Sequence, residues 1–193
     1  MSGEDWQAFS DRVAWDAAFH ATCDAVERPD AAALSLINDR NASVLVAVSA
    51  LMDRRSDPAE DDSPLSQEVG RLDAKLNVLM EIVNRLLLPQ SGLPPRMPLR
   101  FNAAGAVLPW HGLPPVGQPV LLKIHFDVCR ALPLELPGVR LAGPLDGKGF
   151  IGFEGLSEAV RDGLERLVFR QHRRQIAEAR AQARPAEGAS DAM

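Results

Sequence analysis

The 193 residues are enough for one large domain or two small ones, and 46% hydrophobic with 24% charged residues is the balance of an ordinary protein with a packed core. The formal net charge of −5 disfavours a dedicated nucleic-acid binder, since such proteins neutralise phosphates with a basic surface. No apolar run approaches the roughly 18 residues of a membrane span, and MSGEDWQAF lacks the features of a signal peptide, so we expect a cytoplasmic location.

Residues 1–60 are predicted to form an N-terminal helical region. A first helix over residues 2–27 is indicated by residues at helical spacing, namely Trp6, Phe9, Val13, Ala17 and His20. Arg28-Pro29-Asp30 interrupts this pattern, and a second helix is indicated by Leu34, Ile37, Asn41, Val44, Val48 and Leu51. Asn41 has two interpretations: a buried amide that fixes register or oligomer number, or, as we favour, an exposed asparagine or a local break at NDRNAS.

The strongest periodicity lies in residues 63–89, after a charged linker at residues 54–64 that contains two prolines. The four-three spacing runs through Leu65, Val69, Leu72, Leu76, Leu79, Val83 and Leu86. This heptad seam is typical of a coiled-coil oligomerisation helix, although a core helix packed onto its own chain shows a similar pattern. We favour self-association, since a seam sustained for about three repeats is costly to leave in water.

The positions beside the seam change character along this helix. The e and g positions are first Ser66, Glu68, Asp73 and Lys75, and later Met80, Ile82 and Leu87. The apolar stripe therefore widens beyond what a two-stranded seam needs. The widening indicates either more than two copies around one core, or packing onto the second helix or the β-domain.

After residue 89, short apolar runs separated by turn residues replace the helical spacing. Strands are predicted near residues 98–109, 118–128, 130–135, 138–142 and 148–153. Turns are predicted at residues 136–138 and at Asp146-Gly147, and the whole pattern indicates a small barrel or sandwich. A final helix begins after Ser157 as N-cap and runs to about Arg180, and residues 181–193 have the composition of a disordered tail.

The sequence contains no nucleophile motif and no glycine-rich phosphate loop, so we expect neither an enzyme nor a cofactor. His20 with Cys23, and His125 with Cys129, each supply at most half of a metal site. Cysteine and histidine among apolar neighbours are more often ordinary core residues. We therefore expect no metal, and we expect both thiols to be reduced.

The last helix carries arginines at helical spacing: Arg166, Arg170, Arg173 and Arg174. Such a stripe can bind phosphate, an anionic lipid surface or an acidic partner. A solvated helix face is the more common meaning of a charge run, and it is partly balanced here by Glu158, Asp162, Glu165 and Glu178. The sequence favours the solvated face.

The order of elements from RFNAAGAVL through VGQPVLLKI to GFIGFEGLSEAVRDGLERLVFRQHRRQ resembles the PilZ domain, a six-stranded β-barrel closed by a C-terminal helix that typically receives cyclic di-GMP. With RLDAKLNVLMEIVNRLL in front, residues 63–180 look more specifically like the atypical PilZ proteins of the xanthomonad type. The resemblance implies an α+β fold, with helices before a small antiparallel barrel and C-terminal helix over residues 95–180. It further implies a parallel four-helix assembly, taken as tetrameric, and partners among signalling or motility-related proteins.

PilZ receptors bind the dinucleotide with R-x-x-x-R and with [D/N]-x-S-x-x-G. The resemblance assigns the first motif to Arg96 and Arg100 and the second to residues 100–105, where Asn102 occupies the serine position and Gly105 retains the glycine. The two motifs overlap at Arg100, which cannot serve in both. Gly105 is explained equally well by a turn or a close backbone approach.

Three functions remain open. The sequence favours a non-enzymatic, oligomeric interaction module in bacterial cyclic di-GMP-linked signalling, in which direct nucleotide binding is doubtful. The alternative is a direct cyclic di-GMP receptor that uses Arg96, Arg100 and Asn102, with the arginines of the last helix as possible contributors. A third interpretation is a helical adaptor that carries an unrelated β-domain.

Overall fold

The computed structural model describes residues 2–54, 64–87, 92–109, 111–141 and 147–182. Its elements, in chain order, are α1 (Ser2–Ser10), β1 (Trp15–Ala25), α2 (Ala31–Arg54), α3 (Pro64–Leu87), β2 (Arg96–Phe101), β3 (Gly105–Pro109), β4 (Pro119–Phe126), β5 (Cys129–Leu141), β6 (Lys148–Phe153) and α4 (Glu158–Gln182). Most of the predicted linker at residues 54–64 and nearly all of the predicted tail lie outside the described residues, as does Asp146.

The described strands close into an antiparallel barrel in the order β1-β2-β3-β6-β5-β4, with β1 and β4 also paired. Four aromatic side chains meet in the barrel interior: Trp15, Phe19, Phe101 and Phe126. The Trp15 and Phe19 rings lie edge to face with centroids 4.8 Å apart, a favourable aromatic geometry. Burial of these large rings makes them a main source of the barrel's hydrophobic stabilisation.

The prediction of one helix over residues 2–27 is wrong beyond Ser10. Residues 15–25 form β1, which pairs with β2 through Trp15↔Phe101 and with β4 through Ala21↔Ile124. The burial alternates with period two, since Trp15, Phe19 and Ala21 are buried while the residues between them are more exposed. The N-terminal region is therefore not purely helical, because one of its segments completes the barrel.

Two strand boundaries also differ from the prediction. Residues 98–109 are not one strand, because β2 and β3 are separate and join through a tight turn at residues 102–104. Conversely, residues 136–138 are not a turn but the middle of β5. Gly138 pairs there with both Val120 and Phe153, and a Cβ on it would lie 2.4 Å from the carbonyl oxygen of Gly152. The glycine permits this close approach between strands.

Helix α2 packs between β5 and α4, and α4 covers one side of the barrel. The buried side chains of this layer include Val44, Leu45 and Val48 from α2 and Val160, Leu164 and Leu167 from α4. The predicted N-cap is present, since the backbone N–H of Val160 donates to the Ser157 hydroxyl at 3.3 Å.

Asn41 is fully buried in this layer, so the favoured expectation of an exposed asparagine or a helix break is wrong. Its amide nitrogen donates to the carbonyl of Glu135 at 2.6 Å, and its amide oxygen accepts from the Glu135 N–H at 2.9 Å. Asn41 thus satisfies both backbone polar groups of one β5 residue. It fixes α2 on the barrel of its own chain.

Candidate functional site

The heptad seam predicted from the sequence lies on one continuous 24-residue helix, α3, which is about 36 Å long at 1.5 Å per residue. The seam side chains that the structure describes are Val69, Leu72, Leu76, Leu79, Val83 and Leu86, and they are 43 to 79% exposed. The single chain therefore leaves a row of large apolar side chains in water. Contiguous apolar surface of this kind marks an interaction site.

The flank of the seam is polar in the first half of α3 and apolar in the second. Glu68 at a g position forms an ion pair with Arg71 at a c position, with 2.8 Å between the Glu68 carboxylate and the guanidinium. Farther along the helix, the c position after Arg71 holds Val78 and a later g position holds Ile82, and both are exposed. Val78 is not among the residues singled out from the sequence, although its spacing of four from Ile82 places the two side chains on the same helix face.

Arg96 and Arg100 lie four residues apart on β2, so they stand on the same outward face of the strand. The Arg96 guanidinium forms an ion pair with Asp127 and donates to the carbonyl of Ala18 at 3.1 Å. Arg100 lies over the ring of Phe9, with 5.8 Å from its guanidinium carbon to the ring centroid. The protein itself thus supplies partners for both guanidinium groups.

Asn102 begins the turn between β2 and β3 and is only 2% exposed. Its amide nitrogen donates to the Phe9 carbonyl at 2.9 Å, while its amide oxygen accepts from the Ala104 N–H at 2.8 Å. The Asn102 N–H also donates to the Gly105 carbonyl at 3.0 Å. Both side-chain polar atoms are therefore used to hold the turn and to attach α1.

Gly105 opens β3 where the strand passes closest to β6. A Cβ at this position would lie 2.4 Å from the Ile151 carbonyl oxygen and 2.7 Å from the Phe150 ring. The Phe150 ring also contacts Phe9 and Trp6 of α1, with centroids 5.3 and 5.4 Å apart. The glycine thus has a packing role, because only a residue without a side chain fits at this approach.

The two histidine–cysteine pairs singled out in the sequence lie on barrel strands, with His20 and Cys23 on β1, His125 on β4 and Cys129 on β5. His20 and His125 are opposite each other on β1 and β4, and each Nδ1 lies within hydrogen-bond distance of a backbone carbonyl, of Pro94 at 2.6 Å and of Arg130 at 2.7 Å. Cys23 and Cys129 are free thiols, as predicted. Burial, with a smaller contribution from Asp24, raises the pKa of Cys23 to about 12, and burial also raises the pKa of Cys129. Both thiols are therefore protonated near neutral pH, which makes them poor nucleophiles.

Among the described residues, no group of three or more histidine, cysteine or acidic side chains has a metal-binding arrangement. In the same part of the chain, none of the helices combines the length and the apolar character that crossing a bilayer would require.

Comparison with known proteins identifies the architecture. A family model described as an atypical PilZ domain, cyclic di-GMP receptor, matches residues 45–181. Among solved structures, the chain is similar to a pathogenic protein from Xanthomonas campestris, described as a tetrameric PilZ domain self-assembled via an unusual helical bundle. The identity is 23%, the TM-score is 0.67, and the match covers 91% of this chain and 97% of that chain. No curated protein matches.

At this identity the structural likeness shows the fold, and the family match covers most of the chain. The predicted α+β fold, with a small antiparallel barrel and a C-terminal helix, is confirmed. The interpretation as an adaptor with an unrelated β-domain is therefore wrong.

Proposed function

The chain belongs to the atypical PilZ domain family, and from this membership we propose that it is a non-enzymatic, homo-oligomeric interaction module in cyclic di-GMP-linked signalling. Several copies join through α3, and each copy presents its barrel at the bundle. The module works in the cytoplasm of a bacterium, where cysteines such as Cys23 and Cys129 remain unpaired.

The observation that carries this proposal is the exposure of the α3 seam. Leu72, Leu79 and Leu86 at d positions are all at least half exposed in the single chain, and the a positions between them are exposed as well. α3 approaches the barrel at β5, yet these side chains stay largely exposed. A second copy of the same helix offers matching knobs and holes, and it removes the apolar row from water.

The width of the stripe supports more than two copies. Ile82 and Val78 extend the exposed apolar surface beyond the a and d positions in the second half of α3. In a two-stranded coiled coil these outer positions stay in water, whereas a four-helix bundle buries more of each helix. The Xanthomonas campestris neighbour is itself described as a tetramer assembled by a helical bundle, which also supports a tetramer here.

Light scattering after gel filtration tests the assembly. We expect four times the 20.9 kDa mass of one chain at micromolar concentration, and a single-chain mass for the double variant Leu72→Asp and Leu79→Asp. Ala74→Asp is the matched control, because Ala74 is an exposed α3 residue at the f position, opposite the seam. A wild-type monomer, or a double variant with the wild-type mass, contradicts the proposal.

We propose that Arg96, Arg100, Asn102 and Gly105 maintain the barrel surface rather than bind the nucleotide. The support is that Arg96 is paired with Asp127, Asn102 uses both amide atoms within the chain, and Gly105 is required by packing. A ligand at this face has to displace these interactions before it gains its own.

The direct receptor remains the second candidate, because the family is described as a cyclic di-GMP receptor. Isothermal titration with cyclic di-GMP distinguishes the two functions. Our proposal expects no saturable binding at micromolar nucleotide. Micromolar binding that disappears in the Arg96→Ala and Arg100→Ala double variant, but persists in Arg40→Ala, establishes the receptor instead.

A further inference from the structure

A groove runs along α4 beside one end of the barrel. It consists of a cavity of about 450 Å³ and an open stretch of the α4 surface, which share Arg166 and Phe169. The cavity lies between α4, the connection from α1 to β1, and the β2–β3 turn, and its lining includes Val13 and Ala103. The open stretch continues along α4 over Arg170, Arg173 and Arg174.

The cavity is largely apolar. Phe169 is 55% exposed and Val13 is 43% exposed, while Ala103 and Val168 beneath them are buried. The helical spacing places Phe169 between Arg166 and Arg173 on the same face of α4. The spacing of the arginines in the sequence does not point to this ring. A solvated charge face needs neither an exposed phenylalanine nor an apolar cavity beside it.

The carboxylates that were expected to balance these arginines do so only in part. Glu165 pairs with Arg12 at 2.8 Å, and Glu178 pairs with Arg174 at 2.8 Å. Within the described ranges, Arg166 makes no ion pair, and Arg173 lies over the Phe169 ring at 6.0 Å without a carboxylate partner. The groove is thus locally positive in a chain whose formal charge is −5.

We propose that this groove docks an acidic segment of a partner protein, with an apolar side chain seated between Val13 and Phe169 and carboxylates paired with Arg166 and Arg173. Guanidinium groups bind carboxylates in a bidentate geometry, and a ring flanked by arginines is a typical anchor of protein interfaces. A polypeptide fits better than a lipid surface, because the apolar part is a recess between three elements and not a protruding face.

The inference rests on the proposed function in one respect: copies that assemble through α3 leave the α4 groove as the surface for partners. Residues 166 to 174 span about 12 Å of α4, which corresponds to a docked segment of about two helical turns. The α4 groove therefore gives the oligomer one docking site per copy.

The test is selection of displayed 12-residue random peptides on the full-length chain, followed by fluorescence anisotropy with the selected peptides. We expect the selected sequences to carry net negative charge around an apolar residue. Their affinity falls about tenfold or more in Arg166→Glu and in Phe169→Ala, and it stays at the wild-type value in Arg40→Glu, which makes the same charge change on the exposed face of α2. Added salt weakens the binding.

Selected peptides that are neutral or basic, the absence of any selected peptide, or acidic peptides that bind Arg166→Glu as tightly as wild type overturn the proposal. A lipid site is the other outcome that overturns it. In that case the wild-type chain sediments with phosphatidylglycerol vesicles, Arg166→Glu does not, and no acidic peptide is selected. Light scattering on Arg166→Glu separates docking from assembly. A wild-type mass with lost peptide binding leaves self-assembly intact, whereas a monomeric wild type that still binds acidic peptides contradicts only the assembly.

Discussion

Helices α2 and α3 are both 24 residues long and both carry an apolar stripe, yet their surroundings are opposite. The α2 stripe is covered by β5 and α4, and Val48 within it is fully buried. The described side chains of the α3 stripe, from Val69 to Leu86, are 43 to 79% exposed. A similar apolar stripe is thus part of the core in α2 and exposed surface in α3. If α3 is the assembly helix, as proposed, we expect damage to α2 to unfold the single chain and damage to α3 to remove only its association.

The largest expected difference comes from the same kind of substitution on the two helices. Val48→Asp places an unpaired carboxylate in the core, which costs several kcal/mol and leaves no cooperative unfolding transition. The double variant Leu72→Asp and Leu79→Asp keeps the circular dichroism spectrum and a cooperative transition, although its mass falls to one chain. If the α3 variant unfolds as Val48→Asp does, α3 is part of the core and the comparison is wrong.

A smaller loss is expected from the buried amide. Asn41→Ala leaves the part-buried N–H and C=O of Glu135 without these partners, so the free energy of unfolding falls by about 1 to 3 kcal/mol. Urea denaturation measures this loss of stability. We expect the mass of the assembly to be unchanged. Gln67→Ala, which truncates an exposed amide on α3, is expected to change stability by less than about 0.5 kcal/mol. If Asn41→Ala and Gln67→Ala lower the free energy of unfolding equally, the distinction between a buried α2 and an exposed α3 is wrong.

Replacing glycine by alanine is expected to lower the free energy of unfolding in the barrel and to raise it in α3. Gly105→Ala forces a Cβ against the Ile151 carbonyl and lowers the free energy of unfolding by about 1 to 3 kcal/mol. Gly70→Ala on α3 meets nothing within 4 Å and is expected to raise helix stability by about 0.5 to 1 kcal/mol. Thermal unfolding followed by circular dichroism compares them. Gly105→Ala with wild-type stability shows that the close approach to β6 is not required.

The smallest effect is on the reactivity of a thiol. Burial raises the pKa of Cys23 from 9.0 to about 12, so the folded chain binds its thiol proton more tightly than the unfolded chain. This contribution to stability is complete below pH 9 and is lost as the pH rises toward 12. Iodoacetamide at pH 8.5 therefore labels Cys23 more slowly than a free cysteine, with the same rate in wild type and in the monomeric α3 variant. Faster labelling in that variant indicates that assembly also stabilises the barrel.

Much of the architecture could be predicted because the signals are local and periodic. The heptads of α3, the apolar face of α4 with Ser157 at its start, and the alternation of β4 each repeat at one spacing, and the structure agrees. Residues 15–25 could not be predicted because DAAFHATCDA is rich in alanine, which lacks strand propensity. Their strand form comes from pairing with β2 and β4, which are more than 70 residues away.

The amino-acid sequence by itself determines the family, the α+β fold class and the seam from Leu65 to Leu86, because these depend on residue order and spacing. Only the tertiary structure decides the state of individual residues: Asn41 buried against β5, Asn102 holding α1, Gly105 required by Ile151, and Phe169 exposed beside Arg166. The physical reason is that burial and pairing depend on groups brought together from distant parts of the chain, and no local pattern encodes which group arrives.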